Sequence, residues 1–190
     1  QLAVLDNGCG MTPEILLMAL QFGNGTRLAP EQQTGIGRFG MGLPNSSISQ
    51  ARRVEVWSWQ NGVENAFYTY LDIDEIERSE LRYVPIPEHK QIPKIWLREG
   101  KLFEKTGTLV VWSNLDRCQW RTAKTIIDNS ELLIGRMYRF FLVEGKAAIR
   151  YHWFDIDQPK LTRDMSEERI ASPNDPLYLM ANTSCPEPFS

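Results

Sequence analysis

Leu2-Ala3-Val4-Leu5-Asp6-Asn7-Gly8-Cys9-Gly10-Met11 stands at the start of the chain, and Gly35-Ile36-Gly37-Arg38-Phe39-Gly40-Met41-Gly42 follows it across one helix-like segment and a polar loop. The apolar run 2–5 reads as a buried strand. Asp6 ends that run against glycines, where a carboxylate can read the edge of a base. The second stretch opens a segment that reads as a helix. Glycines at a helix N-terminus leave backbone amides free to hold phosphate. An acid closing a strand and a glycine run opening a helix together describe a nucleotide site.

The surrounding segments supply the rest of an α/β domain. Thr12-Pro13-Glu14 is a helix start, with a capping Thr, Pro at the first helical position and an acid in the first turn. Ile15, Leu16, Ala19, Leu20 and Phe22 fall on one face, and Gly23 stops the helix. Residues 23–36 are polar and broken by Gly and Pro, so they read as a long mobile loop with glycine hinges. Residues 42–51 read as a helix with Ile48 and Ala51 inward, and 53–59 and 63–71 as strands joined at the hairpin signal Asn61-Gly62. Residues 72–80 are acidic and read as a short helix or surface loop, 94–97 as a strand, and 107–113 as a further strand. Residues 121–143 carry helical spacing through Ile126, Ile127, Leu132, Leu133, Met137, Phe140 and Phe141, with a split at Asn129-Ser130 and an end at Gly145. Residues 147–154 read as a strand and 158–176 as a loop or linker. The expected fold is a two-layer α/β (α+β) sandwich, with a mixed, mainly antiparallel sheet and helices on one face. The hairpin signal inside the sheet argues against a doubly wound parallel arrangement.

Composition narrows the function classes. The 190 residues are 42% hydrophobic and include six Trp, which marks a globular chain rather than a disordered one. Net charge is −3 and no long basic stripe is visible, so the sequence carries no strong nucleic-acid footprint. Cys9, Cys118 and Cys185 are odd in number and lack metal-ligand spacing, which fits a reducing cytoplasm. No apolar run approaches membrane-spanning length, and membrane attachment is not expected.

Two familiar phosphate motifs fail on context. Gly35-Ile36-Gly37-Arg38-Phe39-Gly40 matches G-x-G-x-x-G, and Glu55 lies 20 residues beyond Gly35. The dinucleotide fingerprint requires a strand before its first glycine, whereas residues 28–34, LAPEQQT, are polar and contain Pro. A phosphate-loop ATPase needs Lys-Ser or Lys-Thr after the glycines, and neither pair follows.

Taken in order, strand, Asp6-x-Gly8-x-Gly10, helix, loop, Gly37-x-x-Gly40-x-Gly42, helix, strands and a Gly107-Thr108 strand resemble the Bergerat-fold (GHKL) ATPase superfamily. That superfamily groups DNA gyrase B subunits, ninety-kilodalton heat-shock chaperones, histidine kinases and MutL mismatch-repair proteins. DNGCGMTPE is similar to its adenine-reading box, and IGRFGMGL to the lid-and-phosphate box of the chaperone, MutL and microrchidia branches. GTLVVWSNL resembles the later strand that closes the adenine pocket. The resemblance covers roughly residues 1–115. The implied division is an ATP-binding domain over 1–118, lacking its first strand and catalytic helix, and the start of a transducer-like domain with a linker over 119–190.

The resemblance implies roles for individual residues. Asp6 accepts the adenine amine, and Gly8 and Gly10 allow close backbone approach. Met11 packs on the adenine face or simply fills the core. Thr108 joins Asp6 around a water at the base. Gly35, Gly37, Gly40 and Gly42, with Phe39 and Met41 between them, form the phosphate box, where backbone amides meet the phosphates. Arg38 either adds charge there or solvates its own loop, and Asn24, Thr26 and Arg27 belong to the lid. The catalytic Glu and the magnesium-holding Asn of the family would precede residue 1, so no catalytic base or metal ligand is assigned in this chain. His89 and His152 are isolated, and Asp72, Asp74, Glu75 and Glu77 read as a solvated face.

The expected function is ATP binding, with magnesium-dependent hydrolysis in the full-length protein driving lid closure, conformational change or homodimerisation. Alternatives are a histidine-kinase-type phosphotransfer domain and a non-hydrolysing ATP-sensing module. The 75 residues after Leu115 weigh against the first alternative. Chaperone, DNA-repair, chromatin-type and phage-defence roles stay open, as does any client or nucleic-acid partner.

Overall fold

A computed structural model of the chain describes residues 1–23, 40–100, 105–155 and 169–175. The chain divides into two compact units, Gln1–Cys118 and Gln119–Ser190.

The first unit is organised by a sheet of five strands in the order β1-β5-β2-β3-β4. These are β1 (Leu2–Asp6), β2 (Ala51–Trp59), β3 (Phe67–Asp72), β4 (Glu88–His89) and β5 (Gly107–Leu115). Every pairing among them is antiparallel. Side chains alternate across each strand, so the sheet has two differently used faces. Val54 and Val56 point to one face and join Leu16, Leu20 and Leu71. Trp57 and Trp59 point to the other and join Tyr68, Ile92, Leu109 and Val111.

The first face is covered by α1 (Pro13–Ala19) and α2 (Gly42–Gln50). α1 begins as its sequence dictates, with the Thr12 side chain accepting the Ile15 amide and Pro13 in the first turn. Leu16 and Leu20 are fully buried, each worth about 1.5–3 kcal/mol of burial. Ile15 and Phe22 are about half exposed, so the inward face is narrower than the spacing implied. α2 turns Pro44 and Ser47 inward and leaves Ile48 half-buried. Ala51 is buried as expected, at the start of β2, but Ser47 takes the inward place given to Ile48: Ser47 Oγ donates to Leu43 O at 2.6 Å and accepts the Trp112 indole N–H at 2.9 Å. That bond pins α2 to β5 with a polar residue that hydropathy spacing passes over.

Other expectations shift for similar local reasons. The Asn61-Gly62 signal marks the reversal, but β2 and β3 are not joined by a two-residue turn. Gly62 sits at φ +90°, and a 3-10 turn, Val63–Asn65, precedes β3. Residues 94–97 are helical, within α4 (Lys94–Gly100), because Pro93 starts a helix: its carbonyl accepts the Trp96 amide at 3.0 Å. Trp96 and Leu97 pack against the Trp57 face of the sheet. β1 is an edge strand, and Val4 within it is 55% exposed rather than buried.

The acidic stretch holds α3 (Ile73–Glu77), capped by Asp72, whose side chain accepts the Asp74 and Glu75 amides. It is not merely a solvated face. Arg53 meets Asp72 at 2.8 Å and Arg52 meets Asp74 at 2.7 Å, and Asp72 is buried. Burial pushes the Asp72 carboxyl up, but the Arg53 hydrogen bond and the two helix amides outweigh it and hold the carboxyl below its ordinary value.

The second unit contains α5 (Ala123–Met137), α6 (Arg139–Val143), β6 (Arg150–Tyr151) and β7 (Arg169–Ile170). Asn129 and Ser130 do not split α5, because their side chains bond back to Thr125 O and Ile127 O within the helix. The break falls at Tyr138, and Gly145 ends α6 at φ +66°. Leu132, Leu133, Met137, Phe140 and Phe141 are exposed, while Ile127 and Gly135 carry the buried contacts. The strand expected over 147–154 is confined to β6. Of residues 169–175, expected as loop or linker, Arg169 and Ile170 pair as β7 with β6, and Ala171, Asn174 and Asp175 are buried. Asn174 N–H donates to Gly135 O at 3.1 Å, a contact that any side chain at position 135 would obstruct.

Candidate nucleotide-binding site

Strand register brings three of the site's side chains into one row. Asp6 pairs with Thr108 across β1 and β5, and Thr108 pairs with Ser58 across β5 and β2. All three lie on the sheet face covered by α1 and α2. One row further in, Val4 and Val110 pair and leave apolar surface accessible beside Asp6 and Thr108. A carboxylate, a hydroxyl and an apolar floor suit the edge and face of an aromatic base.

Asp6 is exposed and held in a fixed pose. Its Oδ1 accepts the Gly8 amide at 2.8 Å, and its other oxygen is left as an acceptor among the described residues. A Cβ on Gly8 would lie 2.9 Å from that Oδ1, so a side chain there displaces the carboxylate. Gly10 is constrained more severely. Its φ is +67°, and a Cβ would lie 2.0 Å from the carbonyl oxygen of Trp59. The loop therefore passes directly over the end of β2, where Gln60 Nε2 also reaches Cys9 O at 3.2 Å.

This close approach delivers the Met11 amide to Ser58. Met11 N–H donates to Ser58 Oγ at 2.8 Å, Ser58 Oγ lies 3.0 Å from Thr108 Oγ1, and it donates to Gly107 O at 3.1 Å. Ser58 is completely buried and Thr108 nearly so. Sequence reading missed Ser58, because one hydroxyl in an aromatic-rich strand carries no motif. Its only signal is a small polar residue at a position where alternation calls for an apolar one. Met11 packs beside Leu16, Val54 and Val56. Core filling is therefore one of its roles.

The second motif is described in part. Gly40 has φ +63°, Met41 is the N-cap of α2 without a side-chain cap bond, and Gly42 is the first helical residue. The helix start leaves amides available for an anion, and a Cβ on Gly42 would meet nothing within 4 Å. Gly35, Gly37, Arg38 and Phe39 lie outside the described residues, as do Asn24, Thr26 and Arg27 of the expected lid. Among the described residues no three His, Cys, Asp or Glu side chains are placed to hold a metal ion. His89 packs against Phe67 with ring centroids 4.0 Å apart and the rings tilted by 34°, and His152 packs near Phe154. No helix among the described residues is long and apolar enough to cross a membrane.

Comparison with known proteins gives the family. The profile of the histidine kinase-, DNA gyrase B- and HSP90-like ATPases matches residues 1–101. The chain is also similar to the protein designated ATPase MORC2B of Mus musculus, at 30% identity over 86 residues. That stretch is 45% of this chain and 8% of the relative's length. The antiparallel sheet with its covering helices and the match across more than half the sequence lead to one assignment: this chain belongs to the histidine kinase-, DNA gyrase B- and HSP90-like ATPase family, the GHKL superfamily.

Proposed function

We propose that the domain binds ATP with the adenine edge against Asp6 and Thr108, the base over Val4 and Val110, and the phosphates toward the start of α2. In the full-length protein, binding leads to hydrolysis, with closure of the segment after Gly23 and a change of conformation or joining of two subunits. The observation that carries the reading is the register row Asp6–Thr108–Ser58, with Gly10 packed against Trp59 O to hold the loop over it. A carboxylate facing the base favours an amine over a carbonyl at the purine 6-position, because a carbonyl there sets two acceptors against each other. The metal chemistry expected of such a site is charge neutralisation at the phosphates when magnesium is bound. In the described residues the chain's own contribution is to orient the base and to present helix amides.

Calorimetric titration of the full-length protein with ATP and magnesium, followed by a phosphate-release assay, tests this reading. ATP binding with phosphate release is expected. Binding without release would replace hydrolysis by sensing, and transfer of the phosphoryl group to a protein side chain would favour the histidine-kinase type. Absence of ATP binding would refute the proposal.

A further inference from the structure

We propose that Ser58 is a positioning residue that fixes the proton direction of the Thr108 hydroxyl and thereby sharpens selection for a 6-amino purine. The inference rests on the ATP-site reading above and concerns a residue that does not itself touch the base. Its basis is a count of donors and acceptors around one buried oxygen.

Ser58 Oγ has one proton and two lone pairs. The Met11 amide can only donate, so it takes one lone pair at 2.8 Å. The Gly107 carbonyl can only accept, and it takes the Ser58 proton at 3.1 Å. The remaining lone pair faces Thr108 Oγ1 at 3.0 Å. Distance alone leaves that last bond open in either direction, but the two fixed backbone groups decide it: Thr108 donates and Ser58 accepts. In a site this buried, the reverse direction would take the Ser58 proton away from Gly107 O and leave the second Ser58 lone pair facing no donor.

The consequence appears on the other side of Thr108. With its proton committed to Ser58, Thr108 Oγ1 offers only lone pairs toward Asp6 and the base. Asp6 offers only acceptors as well. A base that meets both directly must donate, which a 6-amino group does and a 6-oxo group does not. An intervening water preserves this selection. A water held between Asp6 and Thr108 gives both its protons to them and faces the base with lone pairs alone. Selection thus rests on two acceptors, one of which is an acceptor only because Ser58 makes it so.

Removing the Ser58 hydroxyl frees the Thr108 proton to rotate toward the base. Ser58→Ala in the full-length protein should then admit inosine triphosphate, whose 6-oxygen can accept that proton. The ratio of ATP to inosine triphosphate affinity should fall by about tenfold, the size of one misdirected hydrogen bond. A purely structural role for Ser58 would weaken both nucleotides together and leave the ratio unchanged. Ser58→Thr, which keeps the hydroxyl, should restore the ratio. Thr108→Val gives the same answer without touching Ser58: it removes the second acceptor, so the ratio should again fall, and adding Ser58→Ala to it should lower the ratio no further. An unchanged ratio in folded Ser58→Ala, or an unchanged or increased ratio in Thr108→Val, overturns the proposal. Failure of the wild-type protein to bind either nucleotide would instead overturn the site reading on which it stands.

Discussion

Gly10→Ala separates the geometry of the loop from that of any ligand. Gly10 holds φ +67°, and an alanine there costs about 1–2 kcal/mol from backbone conformation alone. Its Cβ would lie 2.0 Å from Trp59 O, roughly 1.4 Å inside the nearest ordinary contact of 3.4 Å. Both atoms belong to backbone or are fixed to it, so no side-chain rotation relieves the overlap. The loop must lift, and lifting it breaks the bond from Met11 N–H to the buried Ser58 Oγ, worth about 1 kcal/mol. The expected loss is about 3 kcal/mol. In urea this moves the midpoint of the first unit's unfolding down by about 1–3 M, given slopes of 1–3 kcal/mol/M. Trp57 and Trp59 lie in that core and report the transition by fluorescence. Gly8→Ala is the matched control. Its Cβ meets only the Asp6 carboxylate, at 2.9 Å, so the midpoint should hold while nucleotide affinity falls. A Gly10→Ala protein with the wild-type midpoint and wild-type ATP affinity would refute the reasoning, since the loop could then not be seated on Trp59 as described.

Gly42→Ala should behave oppositely to Gly10→Ala: the position is open and helical, so unfolding stability should rise by up to about 1 kcal/mol, and a thermal melt that falls would contradict this. Tyr151 has a buried phenol oxygen with no hydrogen-bond partner among the described residues, and burial together with Glu131 pushes its pKa up to about 12; Tyr151→Phe should leave stability unchanged or raise it, and a clear loss would mean the hydroxyl is bonded after all. The Asp72 carboxyl is held below its ordinary 3.8 in the folded state, so the stability it contributes is complete above that value and is lost as pH falls through the lower, folded one. Asp72→Asn should cost about 1.5–3 kcal/mol at neutral pH and flatten the acid limb of a stability-versus-pH curve; an acid limb as steep as wild type would remove Asp72 from the account.

The sequence was most informative where one residue type answers one geometric demand. Thr12 and Pro13 started α1 as read, Gly10 was needed where backbone passes over backbone, and Asp6 and Thr108 fell opposite each other because both strands were legible. It was least informative where burial is reached through hydrogen bonds rather than hydropathy. Ser47 and Ser58 are fully buried, and the partners that tie them across the fold, Trp112 and Thr108, lie 65 and 50 positions away, which no local window contains. Residues 94–97 illustrate a different limit. KIWL fits a strand or a helix equally by periodicity, and Pro93 with its hydrogen bonds decides the matter. In α5 the apolar spacing found the helix but not its buried face, because the contact surface is made by Gly135, where the absence of a side chain lets residues 172–174 approach.

Asp6→Asn is the most direct test of the claim that this row reads adenine. Asparagine keeps an oxygen for the Gly8 amide, so the 2.8 Å bond that shapes the turn can persist. The outward atom changes from an acceptor to a donor and opposes the 6-amino group. Loss of one charge-assisted hydrogen bond corresponds to about 1.5–3 kcal/mol, or roughly ten- to more than a hundredfold in affinity. Calorimetric titration of ATP into the full-length wild-type and Asp6→Asn proteins should show that drop with an unaltered unfolding midpoint. Equal ATP affinity in the two proteins would contradict the assignment of Asp6 to the base.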